Sequence, residues 1–433
     1  MTAHQQCQDL LDFIDASPSP WHVCASMEQR LKAFQFERLY ENNLWSLQAG
    51  GRYFVIRDDS SLILFVMGLR PPADTGFKIF AAHTDSPGLR LKPNPLLQSD
   101  KLLRLALDVY GGPILATFTD RDLSLAGRVV YSDDTGGVSC RLVNFEQVLL
   151  RLPNLAIHMN RAVNEEGLKL NKQTELAAIF SVALQEQLPD GYFSALLAQI
   201  AGIGPERILS WELNAYDTQK GGFWGVERAF YADSQLDNLA SCHAGLSAVL
   251  RESVLNNDAT LVCAFFDHEE VGSESHKGAA GSFLPDILQR IVNAVEPAPD
   301  VYQRALASSF MVSADMAHAY QPNYPNAYEP NHKIIVNQGP VIKTNVNQRY
   351  ATACRSEAQF IQYCRQAGVP YQKYAHRGDL PCGSTIGPIA STKLGVATVD
   401  VGCPMWAMHS CRESAGVLDH HYMIRALSSF FGG

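Results

Sequence analysis

Four apolar runs in this 433-residue chain each lead into acidic or imidazole side chains. FKIFAA runs into His83, LVCAFF into Asp267, His268, Glu269 and Glu270, SSFMVSA into Asp315, and VATVDVG, after a short loop, to His409. Continuous apolar runs of this length suit strands buried on both faces, the habit of sheets covered by helices on either side. In open α/β sheets, sites form outside the carboxyl ends of such strands. The pattern therefore predicts an α/β fold with a mixed sheet, helices on both faces, and a polar site at one end of its strands.

Other segments fill in the organisation. LLDFIDASPSPWHVCASMEQRLKAF reads as two helices broken by SPSP, because proline cannot continue the first and Ser19 or Pro20 can start the second. YFVIR and LILFVMG read as strands. Asp237 differs from the strand-end residues: it precedes NLASCHAGLSAVLRESVL, which reads as an amphipathic helix. From about Pro93 to Ala232 the chain turns to short β-type segments (LLRLALDVY, ILATFT, LAGRVVYS) with turn signals at Gly111-Gly112, Ser132-Asp133-Asp134 and Gly136-Gly137. A helix is predicted from Thr174 to Leu188. None of the strand-end candidates falls in this stretch. Residues 93–232 are thus expected to form a mostly β insert between two parts of an α/β catalytic domain, 1–92 and 233–433. The chain is long enough for two or three domains.

Composition narrows the function. Basic residues number 35 against 44 acidic, giving a formal charge of −9, and no run of Lys or Arg stands out. Nucleic acid and acidic membrane surfaces are poor partners for such a chain. No apolar stretch approaches the roughly 20 residues of a membrane span, and the N-terminus has no basic segment followed by an apolar one. Ten cysteines are scattered without a C-x-x-C pair, several inside apolar runs. They read as buried thiols in a reducing compartment, so the expected location is the cytoplasm.

Each polar motif has a bland reading on its own: a turn His beside a turn Asp for His83 and Asp85, an N-cap for Asp237, a solvated pair for Glu269 and Glu270, a strand-end turn for Asp315, a packed core imidazole for His409. Each also has a chemical one. Imidazole binds zinc, and a neighbouring carboxylate can hold its other ring nitrogen. One carboxylate can bridge two ions, and of two adjacent acids one can bind metal while the other stays free as a general base.

The longer blocks decide between these readings. SPSPWHV, AAHTDSPGLRLKP, LAIHMNR, SQLDNL, FDHEEVGSES, SADMAHAYQPNY, GPVIK, QRYAT, PCGSTIGP and AMHS run from Ser17 to Ser410. In them the chain resembles the aspartyl aminopeptidase family, its bacterial members in particular. The resemblance implies a co-catalytic dizinc aminopeptidase acting on peptides, with cobalt or manganese as substitutes for zinc. It assigns one zinc to His83, Asp237 and Asp315, and the other to Asp237, Glu270 and His409. Asp85 would orient His83. Glu269 would take a proton from a zinc-activated water and return it to the leaving amine. The family prefers N-terminal Asp or Glu, for which Lys343 is the first candidate, with Tyr350 and His318 beside it. It also assembles as a homo-oligomer, a dodecamer built from dimers through the insert, in which the residue matching His158 reaches a neighbouring subunit's active site. His268, beside the base, is a candidate for tuning it rather than a ligand. The alternative activity is that of a dizinc deacylase or carboxypeptidase on the same scaffold, separable by its substrates.

Overall fold

The computed structural model describes residues 1–183, 191–254 and 256–433. Its largest sheet has nine strands, in the order Glu37–Arg38, Arg52–Arg57, Ser61–Val66, Thr260–Phe266, Phe77–His83, Phe310–Ala314, Ala397–Gly402, Val341–Thr344 and Gln372–Ala375. The four strands from Thr260–Phe266 to Ala397–Gly402 run parallel. They contain the apolar runs read from the sequence, and their carboxyl ends therefore lie together.

Helices cover both faces, and the period-2 alternation of a strand shows how. Phe80 and Ala82 belong to one buried cluster with Leu10, Leu239 and Ile424 from the helices Ala3–Asp15, Leu236–Val249 and Val417–Gly432. Ile79 and Ala81 belong to a second, with Ile287 of Phe283–Val295 and Ala390 of Ile386–Leu394. The mixed α/β class read from the sequence is the one observed. The SPSP break also falls as read: Ala3–Asp15 ends before it, and Pro20–Ala33 begins at a proline after Ser19.

Three expectations need correction. ILATFT does not form a strand: Leu115–Phe118 is a 3-10 helix. The helix Leu236–Val249 is not amphipathic: of its residues only Ser247 is left partly exposed. Its small residues let it sit against the sheet; a Cβ at Gly245 would lie 2.2 Å from the Phe80 ring. The helix expected over Thr174–Leu188 is instead a strand at Ala177–Val182, paired antiparallel with Leu102–Tyr110. Short apolar runs of this kind suit either element, and edge pairing decided it. Residues 184–188 of that stretch lie outside the described residues.

A six-stranded antiparallel sheet is built only from strands between Gly88 and Asp217, in the order Val138–Asn144, Leu123–Ser132, Ile208–Asp217, Gly88–Ser99, Leu102–Tyr110, Ala177–Val182. It has its own core, including Leu89, Leu105, Leu125, Val129 and Leu213. A third sheet of five strands joins Gly222–Trp224 and Phe230–Asp233 to Glu413–Gly416, Pro404–Trp406 and Ala317–His318. All ten cysteines are free. Among the described residues no helix is long and apolar enough to cross a membrane.

Candidate active site

His83 is the last residue of the central strand Phe77–His83, and Asp315 directly follows the adjacent Phe310–Ala314. On the other side of His83, Thr260–Phe266 delivers Asp267 and then a 3-10 turn over Glu269–Val271. Asp237 lies in the first turn of Leu236–Val249, and His409 in the loop between Pro404–Trp406 and Glu413–Gly416. Parallel neighbours ending level with one another thus bring residues from distant parts of the chain to one spot.

Asp237 stands at the centre. Its Oδ1 lies 3.5 Å from His83 Nε2 and its Oδ2 lies 3.3 Å from His409 Nε2. His83 Nε2 is also 3.6 Å from Asp315 Oδ1 and 4.0 Å from Glu269 Oε2. His409 Nε2 is 3.6 Å from Glu270 Oε1. Ligand atoms of His83, Asp237 and Glu270 fall within 4.8 Å of one another, as do those of His83, Glu269 and Asp315. Distance alone therefore places Glu269 among ligand-type groups.

The charges are those of a cation site. Asp85, Asp237, Glu269, Glu270 and Asp315 converge on two imidazoles, and among the described residues the one ammonium against them is Lys343, 3.6 Å from Asp315 Oδ2. Burial pushes the Glu269 carboxyl up to about 8, with Asp315, Asp85 and Asp237 adding to it against His83. Burial and then Asp237 drive Glu270 well above its ordinary range. Buried acids so crowded need positive charge between them. Asp237 Oδ1 is a buried oxygen with no hydrogen-bond partner. Carboxylate and imidazole donors at this spacing, with an orphaned oxygen at the centre, fit zinc.

Asp85 does more than was read from the sequence. His83 Nδ1 lies 3.0 Å from the Asp85 main-chain carbonyl and 3.4 Å from its Oδ1. The carboxylate itself accepts the Glu269 N–H (3.1 Å), the Glu270 N–H (3.1 Å) and the Tyr110 hydroxyl (2.7 Å). One buried acid therefore fixes both the imidazole and the turn that carries the two glutamates.

Glu413 and Tyr110 escaped the sequence reading. Glu413 accepts the His409 N–H (2.6 Å) on one oxygen and the Asp237 N–H (3.0 Å) on the other. The signal was an acid in the small, apolar strand Glu413–Gly416, four residues after His409. Tyr110 ends a strand of the six-stranded sheet, and the next turn brings the Gly112 carbonyl to 3.1 Å from His409 Nδ1.

The remaining candidates lie around this cluster or apart from it. Lys343 is buried, and its Nζ donates to the carbonyls of Asp315 (2.9 Å) and Met316 (3.2 Å) while standing 5.1 Å over the Tyr350 ring. His318 has its ring centroid 6.1 Å from Tyr374 and 6.3 Å from His376. Burial, then Lys343, lowers the His318 imidazole to about 4, so it is neutral near pH 7. His268 turns aside, its Nδ1 2.9 Å from Ser275 Oγ. His158 sits exposed in a turn of the 88–217 stretch and touches no member of the cluster among the described residues.

Comparison with known proteins places the chain in a family. Residues 13–431 match the aminopeptidase I zinc metalloprotease (M18) family. A relative from Pseudomonas paraeruginosa (strain DSM 24068 / PA7), named "Probable M18 family aminopeptidase 2", is 46% identical over 428 residues, spanning 98% of this chain and 97% of the relative. One of the same name from Stutzerimonas stutzeri (strain A1501) is 45% identical over 428 residues, with the same coverage. Among solved structures, the cryo-EM structure of the Ape4 and Nbr1 complex matches with a TM-score of 0.95 at 37% identity, covering 99% of this chain and 86% of that one. The structure of the S. cerevisiae mApe1 dodecamer matches with a TM-score of 0.86 at 25% identity, covering 98% and 95%.

Proposed function

The chain belongs to the M18 family of zinc aminopeptidases, and on that premise we propose a two-metal enzyme that removes acidic residues from peptide N-termini. The observation that carries the two-metal reading is Asp237, whose two oxygens each face a different imidazole at 3.5 and 3.3 Å. His83, Asp237 and Asp315 would hold one zinc, and Asp237, Glu270 and His409 the other. Zinc bound there supplies Lewis acidity, polarising a peptide carbonyl and making water acidic near neutral pH.

The chain's own residues do the rest. Glu269, held by its N–H on Asp85, takes a proton from the attacking water and returns it to the departing amine nitrogen. Asp85 and Glu413 set the directions of the imidazoles and of Asp237. Lys343 has three N–H donors, and two are occupied by main-chain carbonyls. The third, with the ammonium charge, suits the side-chain carboxylate of an N-terminal Asp or Glu. Tyr350, whose ring lies 5.1 Å from the ammonium, and His318 would line the same approach.

Assembly forms part of the proposal. The Gly88–Asp217 sheet, lying between the two portions of the nine-stranded sheet, supports residues 93–232 as an inserted oligomerisation unit. Around His158, Leu155 (68% exposed), Ile157 (47%) and Met159 (76%) present apolar surface that a second copy would cover. A dodecamer, as in the S. cerevisiae structure, would carry His158 to a neighbour's active site. Ten free cysteines support the cytoplasm as its place.

The test is hydrolysis of Asp-, Glu-, Leu- and Lys-terminal peptides before chelation, after it, and with zinc restored. Zinc-restored cleavage favouring Asp or Glu is expected. Zinc-dependent cleavage without that preference removes the role of Lys343. Failure on every free-amine peptide with zinc bound moves the reading to a deacylase or carboxypeptidase.

A further inference from the structure

A second cavity, of about 640 Å³, lies among the helices Ala3–Asp15, Pro20–Ala33, Leu236–Val249 and Val417–Gly432 and shares no lining residue with the cluster described above. Its polar wall holds Arg30, Asp9, His421, Arg251, Arg425 and Ser247. In a chain of net charge −9, this is a local reversal of sign.

The charges do not cancel. Asp9 is already engaged: Arg30 grips both its carboxylate oxygens at 2.9 Å, and His243 Nε2 lies 2.8 Å from Oδ2. Arg251, by contrast, has no side-chain hydrogen bond and no ion pair among the described residues. The Arg425 guanidinium donates to the Ala367 carbonyl and has no carboxylate partner there either. Burial and the Arg425 charge together push the Arg251 guanidinium below its ordinary value. Burial, Arg425 and Arg251 do the same to the His421 imidazole. His421 is held through Nδ1, 2.7 Å from Gln6 Oε1, which leaves Nε2 as its other polar atom. Two guanidinium groups without a carboxylate partner among the described residues thus share one partly dry cavity beside an imidazole.

Two arginines call for a dianion, since a single carboxylate would answer only one of them. The lining also includes the apolar Phe34, Leu250 and Ile424, and the volume exceeds that of phosphate alone. We propose that this cavity binds a phosphate monoester, its dianionic head between Arg251 and Arg425 and its organic part against Phe34 and Ile424.

Calorimetric titration of the zinc-loaded, full-length protein tests this with three probes: phenyl phosphate, inorganic phosphate and benzoate. Saturable binding of phenyl phosphate below about 1 mM is expected, tighter than inorganic phosphate and tighter than benzoate. Because phosphate can also reach zinc, the assignment rests on R251Q/R425Q, which should weaken phenyl phosphate at least tenfold while peptide turnover stays unchanged. Should that pair fail to fold, R425K keeps the charge but loses the planar fork and should give a smaller loss. No saturable binding by the wild type, benzoate binding as tightly as phenyl phosphate, or unchanged binding in the variants would each overturn the proposal.

Discussion

His83 and His409 face the same Asp237 carboxylate from opposite sides, on very different footing. The His83 side chain is 1% exposed, sits in regular strand geometry, and is flanked by the parallel strands that also carry Glu269 and Asp315. The His409 side chain is 30% exposed and sits in a loop with φ of +68°, a left-handed backbone that only its surroundings sustain. Sheet pairing secures the first imidazole. The second depends on Glu413 at its N–H and on the Gly112 carbonyl at its Nδ1. One half of the centre is thus inherited from the fold, and the other is assembled from loops.

The largest expected effect tests where Glu269 belongs in this division. Glu269→Gln should lower kcat by about a thousandfold while atomic absorption finds the same zinc content. Zinc loss in that variant would make Glu269 a ligand of the His83 half. Glu413→Gln comes next. It should weaken zinc binding about 10- to 100-fold in the His409 half alone, read as one of two zincs released early to a chromophoric chelator. Equal weakening of both ions would erase the distinction between the halves. Lys343 lies on the buried half, against Asp315. Lys343→Ala should reduce kcat/KM about tenfold more for Asp-terminal than for Leu-terminal peptides, and an equal loss on both would make it a support for Asp315 only. The smallest effect is expected from His158→Ala: a several-fold loss of kcat with zinc content unchanged. Normal kinetics there would mean that no neighbour approaches over the open, His409 side.

The same contrast explains what could be read from the sequence. His83, Asp315 and the Glu269-Glu270 pair were legible because each directly follows an apolar run, and a run buried on both faces is a strong local signal. Asp237 and His409 gained their meaning only from the longer family blocks; neither directly follows a long apolar run, His409 lying in a loop and Asp237 at the start of a helix. Glu413 and Tyr110 were not legible, because Glu413 acts through main-chain N–H groups, one of them on the distant Asp237, and Tyr110 acts through Asp85, 25 residues away. The Leu236–Val249 helix misled for a related reason: its Ser, His and Gly residues look like a polar face, but they are small or hydrogen-bonded partners in a buried interface. His243, for example, lies 2.9 Å from His420. Ala177–Val182 misled because six apolar-rich residues carry no length signal to separate helix from strand.

The turn after Leu102–Tyr110 has a consequence for how this architecture can be recombined. Tyr110 bonds Asp85, Gly112 holds His409, and Gly111, at φ of +67°, comes so near that a Cβ there would lie 3.0 Å from the Glu270 Cβ. The six-stranded sheet is therefore no interchangeable cassette. A chimera that borrows it from a relative inherits a working centre only when the donor's turn after Tyr110 fits the recipient's Asp85, Glu270 and His409. Crossover points placed outside Asp85 and Gly112, so that turn and carboxylate travel together, should yield active hybrids far more often than points placed between them.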